Sequence, residues 1–338
     1  MTPDNNKYIE DILKDGFEQH TIPLQDDSEG CNVATLIRRL SPRDTDKAVL
    51  YIHGFNDYFF QTEMGHEFND HGYNFYALDL RKYGRSYLPH QTKNDIRNLD
   101  DYFEEIEIAL HIIRQEGNEH VALFGHSTGG LILTLFAKSN RYDTLFDALI
   151  LNSPFFEFNK SALLKAFIPL AAFVGKYFPN LKISGGLSEE YGKSIHHSFD
   201  GEWDYNLQWK PNMPPKVKLG WVRAIYMGQQ QLKKHIIISK PLLVLHSARS
   251  TTNFKDSILM HSCDAILNVR DIARIANKVE GRKDIIAIDG GLHDLVLSAK
   301  DIRRHVYDVI FGWLPHSGIQ VCSMMISSYF VSHAPNLR

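Results

Sequence analysis

The chain has 338 residues, 43% hydrophobic and 23% charged, a balance suited to a globular protein with a sizeable core. Lys and Arg (37) nearly cancel Asp and Glu (40), and the net charge of −3 offers no basic field for a phosphate backbone, so nucleic acid is not expected as a partner. Three cysteines, Cys31, Cys263 and Cys322, without CxxC spacing, give neither a disulfide framework nor a zinc site. The opening MTPDNNKYIEDIL lacks the basic start and apolar stretch of a secretory signal, which makes a reducing cytoplasm the expected location.

In chain order, apolar, β-branched or aromatic runs of strand length occur at 33–37 (VATLI), 48–53 (AVLYIH), 74–80 (NFYALDL), 121–126 (VALFGH), 148–153 (ALILNS), 241–247 (PLLVLHS) and 285–288 (IIAI). From residue 48 on, these runs are expected to be buried on both faces. Helix-length segments separate them, such as 99–115, whose apolar residues share one side at 3.6 spacing. Alternating strand and helix means an α/β protein with a mostly parallel sheet covered on both faces. The rhythm fails from 154 to 235, too long a stretch for a structureless loop, so this part is expected to be an inserted helical cap. The α/β core is then 1–153 with 236–315, and 316–338 is an appendage without assigned structure. Within the insertion, 162–178 is broken by Lys165, Pro169 and Lys176 and is too short to span a bilayer. Its expected contact with lipid is transient and confined to the surface. A second amphipathic helix is expected over 219–234.

Gly125-His126-Ser127-Thr128-Gly129 is G-x-S-x-G, placed after the strand VALF and before the helical GLILTLFAKS. A turn this tight needs small residues beside the serine, and the following helix turns its N-terminal amides toward the reaction site. A serine hydroxyl needs a base to take its proton; His293 follows the last strand run and the turn Asp289-Gly290-Gly291, where such a base belongs. The acid should lie between them in sequence, after PLLVLHS, where Asp256, Asp264 and Asp271 are available. Asp264 opens the segment leading into a helix and is the first choice, Asp256 the second; Asp271 fits a helix N-terminal role better. Backbone amides of Thr128 and of Phe55, in the turn His53-Gly54-Phe55-Asn56, are the expected oxyanion donors. His53 itself is expected to brace that turn.

Four pieces carry a resemblance: Tyr51-Ile52-His53-Gly54-Phe55, the run from Asp79 through Arg81, Gly84 and Arg85 to Ser86, Gly125 to Gly130 around Ser127, and Gly291-Leu292-His293-Asp294. Together they span most of the chain, which resembles the α/β-hydrolase branch containing monoacylglycerol lipases, lysophospholipases and serine aminopeptidase domains. That resemblance implies ester hydrolysis through an acyl-enzyme, on medium or long acyl esters such as monoacylglycerols. An amide hydrolase of the aminopeptidase type is the runner-up, with Glu189, Glu190 or Glu202 as holders of a free amino group. A non-catalytic receptor or scaffold is the alternative from another class. The sequence departs from the family in the longer stretch after LLVLHS and in the Asp-Leu-Arg-Lys-Tyr-Gly form of the early motif.

Phe155, Phe156, Trp203 and Trp221 are candidates for lining a substrate pocket, because the insertion projects over the sheet edge that carries Ser127. Composition alone would put them in the insertion's own core. His66 and His71 are five apart and point in different directions on a helix. His196-His197 has no cysteine or carboxylate at ligand spacing in the sequence. No G-x-G-x-x-G or phosphate-loop lysine occurs, so neither metal nor cofactor is expected.

Overall fold

The computed structural model describes residues 7–314 apart from 187 and 235; the appendage at 316–338 lies outside the described residues. Nine strands form one sheet: β1 (Ile9–Glu10), β2 (Glu18–Asp27), β3 (Gly30–Arg39), β4 (Lys47–Ile52), β5 (Asn74–Asp79), β6 (His120–His126), β7 (Ala148–Asn152), β8 (Leu242–Ser247) and β9 (Lys283–Ile288). Their spatial order is β1-β2-β3-β5-β4-β6-β7-β8-β9. β1 to β3 pair antiparallel, and β3 meets β5 antiparallel; from β5 to β9 every pairing is parallel.

The strands obey the period of two that burial on both faces demands. Leu50 and Ile52 of β4, Leu123 of β6 and Val244 of β8 face one core, with α2 (Tyr102–Gln115), α3 (Thr128–Lys138) and α8 (Val269–Ala276) packed over it. Val49, Tyr51, Phe124 and Leu245 face the other, covered by α1 (Thr62–Asp70) and α9 (Lys300–Trp313). β9 corrects the expectation of full burial. It is the sheet edge, and Asp284 and Ala287 are exposed.

Between β7 and β8 run α4 (Ala162–Tyr177), α5 (Glu190–Ile195) and α6 (Leu219–Leu232), with a two-residue strand pairing of Lys182–Ile183 with Val217–Lys218. α6 is not a detached lid helix. Trp221, Val222 and Ile225 belong to the same core as α2 and α3. α4 rides on the start of α6 at Gly175, where a Cβ would stand 2.4 Å from the Leu219 carbonyl oxygen. Only Ala172 and Gly175 of α4 are buried. Lys218 fastens the segment to the core by ion pairs of 2.8 Å to both Glu29 and Asp95. No helix among the described residues is long and apolar enough to cross a membrane.

Candidate active site

The four motif pieces singled out in the sequence lie at the C-terminal ends of parallel strands, where such folds hold their sites. Ser127 ends β6 and enters α3 with φ 50° and ψ −112°, a left-handed conformation rare for a residue with a side chain. Its neighbours explain how the turn closes. A Cβ on Gly125 would stand 2.8 Å from the Gly129 carbonyl oxygen, and one on Gly129 only 2.4 Å from that of Ile52. The elbow is held by the Ser127 amide donating to Asn152 O (3.0 Å) and the Phe155 amide donating to Ser127 O (2.9 Å).

His293 brings its Nε2 to 3.0 Å from Ser127 Oγ and its Nδ1 to 3.0 Å from Asp264 Oδ2. With the proton on Nδ1, the ring donates to the carboxylate and leaves Nε2 to accept from the serine. Asp264 is fully buried, and its other oxygen accepts from the amides of Ile266 (2.8 Å) and Leu267 (2.7 Å), which fixes the carboxylate plane. The competing acids are occupied elsewhere. Asp256 caps α7 (Ser257–Met260) by accepting from the Leu259 amide, and Asp271, in the first turn of α8, pairs with Lys165 and Arg274.

The turn after β4 lies directly against the nucleophile: a Cβ on Gly54 would be 3.1 Å from both Ser127 Cβ and His126 Cδ2. Among the described residues, no hydrogen bond outside helices and strands uses the Phe55 or Thr128 amide. His53 is a brace. Its Nδ1 donates to Gly54 O (2.8 Å), its Nε2 accepts from the Leu80 amide (3.1 Å), and burial pushes its pKa down, so the ring is neutral. The early motif supports the same region: Asp79 accepts from the Phe59 amide and pairs with Arg85, while Gly84, at φ 45°, clears the carboxylate.

A cavity of about 130 Å³ opens over Ser127 and His293. Phe155, Phe158, Val217, Trp221, Ile266 and Leu267 make its apolar wall, and Asn56, Asp57, Tyr191, Lys210 and Asn212 its polar side. Phe155 and Trp221 are thus at the cavity. Phe156 and Trp203 are not: Phe156 is turned into the core beneath, and the Trp203 indole donates to Leu297 O at 3.0 Å under the Arg303 guanidinium. Neighbouring positions in an irregular segment point opposite ways, which composition does not reveal. The sequence reading missed Tyr191, Lys210 and Asn212, whose place depends on how the segment between β7 and β8 folds back. Asp57, two residues after Phe55 and directly beyond the turn His53–Asn56, carried a positional signal.

The carboxylates considered for an amino group lie away from the cavity lining. Lys193 pairs with Glu189 and Glu190, and Arg303 with Glu202. Two groupings bring metal-type donors together. Asp57, His126 and Asp294 converge within 4.8 Å, but the Lys210 ammonium, 2.6 Å from Asp57, already supplies the positive charge there. In the His196, His197 and Asp204 group, His196 uses both ring nitrogens, donating to Tyr205 O and accepting from the Ser198 amide.

A family model described as Serine aminopeptidase, S33 matches residues 43–299. Among solved structures, a soluble variant of monoglyceride lipase from Saccharomyces cerevisiae, in complex with a substrate analog, superposes with a TM-score of 0.61 at 15% identity, covering 87% of this chain and 95% of that one. Monoacylglycerol lipase from Paleococcus ferrophilus gives 0.59 at 17% identity (88% and 98%). Est1E from Butyrivibrio proteoclasticus with ferulic acid bound gives 0.54 at 17% identity (86% and 96%). At these identities the likeness is one of fold. A comparison with curated proteins finds no match.

Proposed function

The chain belongs to the Serine aminopeptidase, S33 family of α/β-hydrolases, and from that premise we propose that it hydrolyses carboxylic esters through a covalent acyl-serine, with 154–235 as the cap over the site. The observation that carries this reading is the continuous relay Ser127–His293–Asp264, two contacts of 3.0 Å at the floor of a cavity with an apolar wall.

In the proposed cycle Ser127 Oγ attacks the ester carbonyl while His293 Nε2 takes the hydroxyl proton. Asp264 keeps the imidazole oriented and stabilises its charged form. Negative charge gathers on the carbonyl oxygen, where the Phe55 and Thr128 amides would donate; each aimed donor contributes about 3 kcal/mol to such a transition state. The imidazolium then gives its proton to the departing alcohol. Water repeats the sequence on the acyl-serine, and the carboxylic acid leaves.

An apolar wall of Phe155, Phe158, Val217 and Trp221 favours an acyl chain over a charged peptide, and supports medium or long acyl esters as substrates. The exposed apolar side of α4 supports transient contact with a lipid surface, where such esters reside. A series of p-nitrophenyl esters of rising acyl length tests the reading. Wild type should cleave them, best at medium or long chains, and S127A should lose about 10⁴-fold or more in kcat while remaining folded. Faster turnover of aminoacyl p-nitroanilides than of any ester would replace the ester reading with the amide one.

A further inference from the structure

The turn that offers the Phe55 amide is held from two sides. Upstream, His53 ties it to the core through Leu80. Downstream, three consecutive side chains reach the short strap 206–211 of the inserted segment. Asn56 Nδ2 donates to Pro211 O (2.9 Å), Asp57 Oδ1 pairs with Lys210 Nζ (2.6 Å), and Tyr58 Oη accepts from the Asn206 amide (2.7 Å). Phe55 itself packs against Trp221 of α6, ring centroids 4.7 Å apart and planes tilted by 48°.

The strap is rigid on its own account. Asn206 O accepts from the amides of Trp209 and Lys210, and its side chain accepts from the Gln208 amide. Trp209 meets the Tyr58 ring edge-on at 5.1 Å. Asn56, by contrast, sits at φ 54°, a left-handed conformation that asparagine adopts more readily than most residues and that its contact with Pro211 helps to hold. Asp57 and Lys210 are both largely buried, so their charges have little water to turn to and their pairing is directional.

We propose that Lys210 and Tyr58 are positioning residues: through them the strap 206–211 fixes the oxyanion turn, and the inserted segment thereby sets the rate of the chemical step as well as shaping the cavity. The inference rests on the serine-hydrolase reading above. An oxyanion donor acts only when it is aimed at the place the charged oxygen will occupy, so a small rotation of the turn weakens the transition state more than the bound ester.

The test compares K210M, K210R, Y58F and the charge-free pair D57N/K210M in the full-length protein. The readouts are kcat and KM on a p-nitrophenyl ester, Ki for an alkyl trifluoromethyl ketone that forms a tetrahedral adduct, and the melting temperature. K210M and D57N/K210M should lose about tenfold to hundredfold in kcat, less than the about 10²–10³ of losing a donor outright. KM should hold while the ketone Ki rises by the same factor. K210R should recover part of the loss, and Y58F should show a smaller effect of the same kind. K165M is the control: Lys165 links α4 to Asp271, away from the turn, so it should lower the melting temperature and leave kcat and Ki alone.

Folded K210M and D57N/K210M with kcat and Ki within twofold of wild type would overturn the proposal. If neither lysine variant folds, Y58F decides by the same readouts, and an unchanged Ki overturns it equally. A fluorophosphonate probe separates the two levels. Failure of wild type to label at Ser127 removes the serine mechanism and the strap's role together, whereas labelling with unaltered variant kinetics removes only the strap's role.

Discussion

Asn152 Nδ2 donates to Asp294 Oδ1 at 2.7 Å, and its Oδ1 accepts from the Leu295 amide at 3.3 Å, so the last residue of β7 grips the loop that carries His293. Burial pushes the Asp294 carboxyl up, and Lys210 and the Asn152 amide are the main groups that hold it down. Replacing Asn152 by Ala leaves that carboxylate short of a buried donor. N152A should lose about 1.5–3 kcal/mol of stability, the range for a hydrogen bond to a charged group. It should also lower kcat with little change in KM, because the base is less well held. Urea denaturation and steady-state kinetics on one preparation check both; wild-type kcat in a destabilised N152A would leave the amide with a purely structural role.

Asp264 and Asp256 lie only eight positions apart, yet their surroundings predict opposite results. D264N puts an amide where His293 Nδ1 needs an acceptor, favouring the wrong tautomer, and should cost about 10⁴ in kcat by analogy with other serine hydrolases. Asparagine still serves as a helix cap, so D256N should keep full activity. Ester turnover by the two purified variants, with circular dichroism as the folding control, discriminates them. The reverse ranking would move the acid to residue 256.

At Gly129 the methyl of an alanine would stand 2.4 Å and 2.5 Å from the carbonyl oxygens of Ile52 and His53. Both obstacles are backbone, at the strand end that leads into the turn carrying Phe55, so neither can swing aside as a side chain would. G129A should therefore shift the elbow against that turn, with a kcat loss of about 10² or more and a lowered melting temperature. A G129A protein with wild-type kcat would mean that the elbow and the turn are less tightly packed than these contacts require.

Signals that depend on local spacing and chain order could be read in advance; those created by long-range folding could not. The parallel strands β4 to β8 are buried on both sides, so hydrophobic runs mark them. β2 (EQHTIPLQDD) is half solvated and alternates polar with apolar, so no hydrophobic run marks it. Ser127 and His293 follow from motif and chain order because the elbow's sterics and the strand sequence constrain both. Asp264 could be placed ahead of Asp256 by its position at the start of the segment leading into a helix, but which carboxylate meets the imidazole depends on side-chain direction, which spacing does not carry. Lys210 carried no signal. Its partner Asp57 lies 153 residues away, and only the return of the segment between β7 and β8 across the site joins them.

Glu29 supplies a pH test of how that segment is fastened. Burial acts to raise its carboxyl, but hydrogen bonds from Lys218, Lys82 and Thr92 outweigh this and hold it well below the usual carboxylate range. A carboxyl with a depressed folded pKa contributes stability that is complete above its unfolded pKa. That contribution is lost as pH falls toward the folded one. Wild type should accordingly exceed E29Q in melting temperature at pH 7, and the gap should narrow as pH falls from about 4.5 toward 2. Differential scanning calorimetry across that window measures it, and a constant gap would mean that the network is not held by Glu29 charge.

The exposed side of α4 extends the ester reading to a surface. Leu163, Leu164, Phe167, Leu170, Phe173 and Tyr177 are each more than half exposed, and at about 100° per residue they cover roughly half the helix circumference. Lys176, in the last turn of α4, and Lys182, just beyond it, are exposed at that end of the helix, so an anionic bilayer offers both apolar and electrostatic attraction. Vesicles of phosphatidylcholine with phosphatidylglycerol should therefore retain wild type on sedimentation, more strongly at low salt. The double variant F167D/F173D places two carboxylates on that side without touching the cavity lining. It should stay in the supernatant, keep its turnover of a soluble p-nitrophenyl ester within about twofold, and lose its rate on vesicle-borne monoacylglycerol. Undiminished sedimentation of the variant would move the lipid contact to another part of the molecule, and loss of soluble-ester activity would show that α4 acts on the site itself.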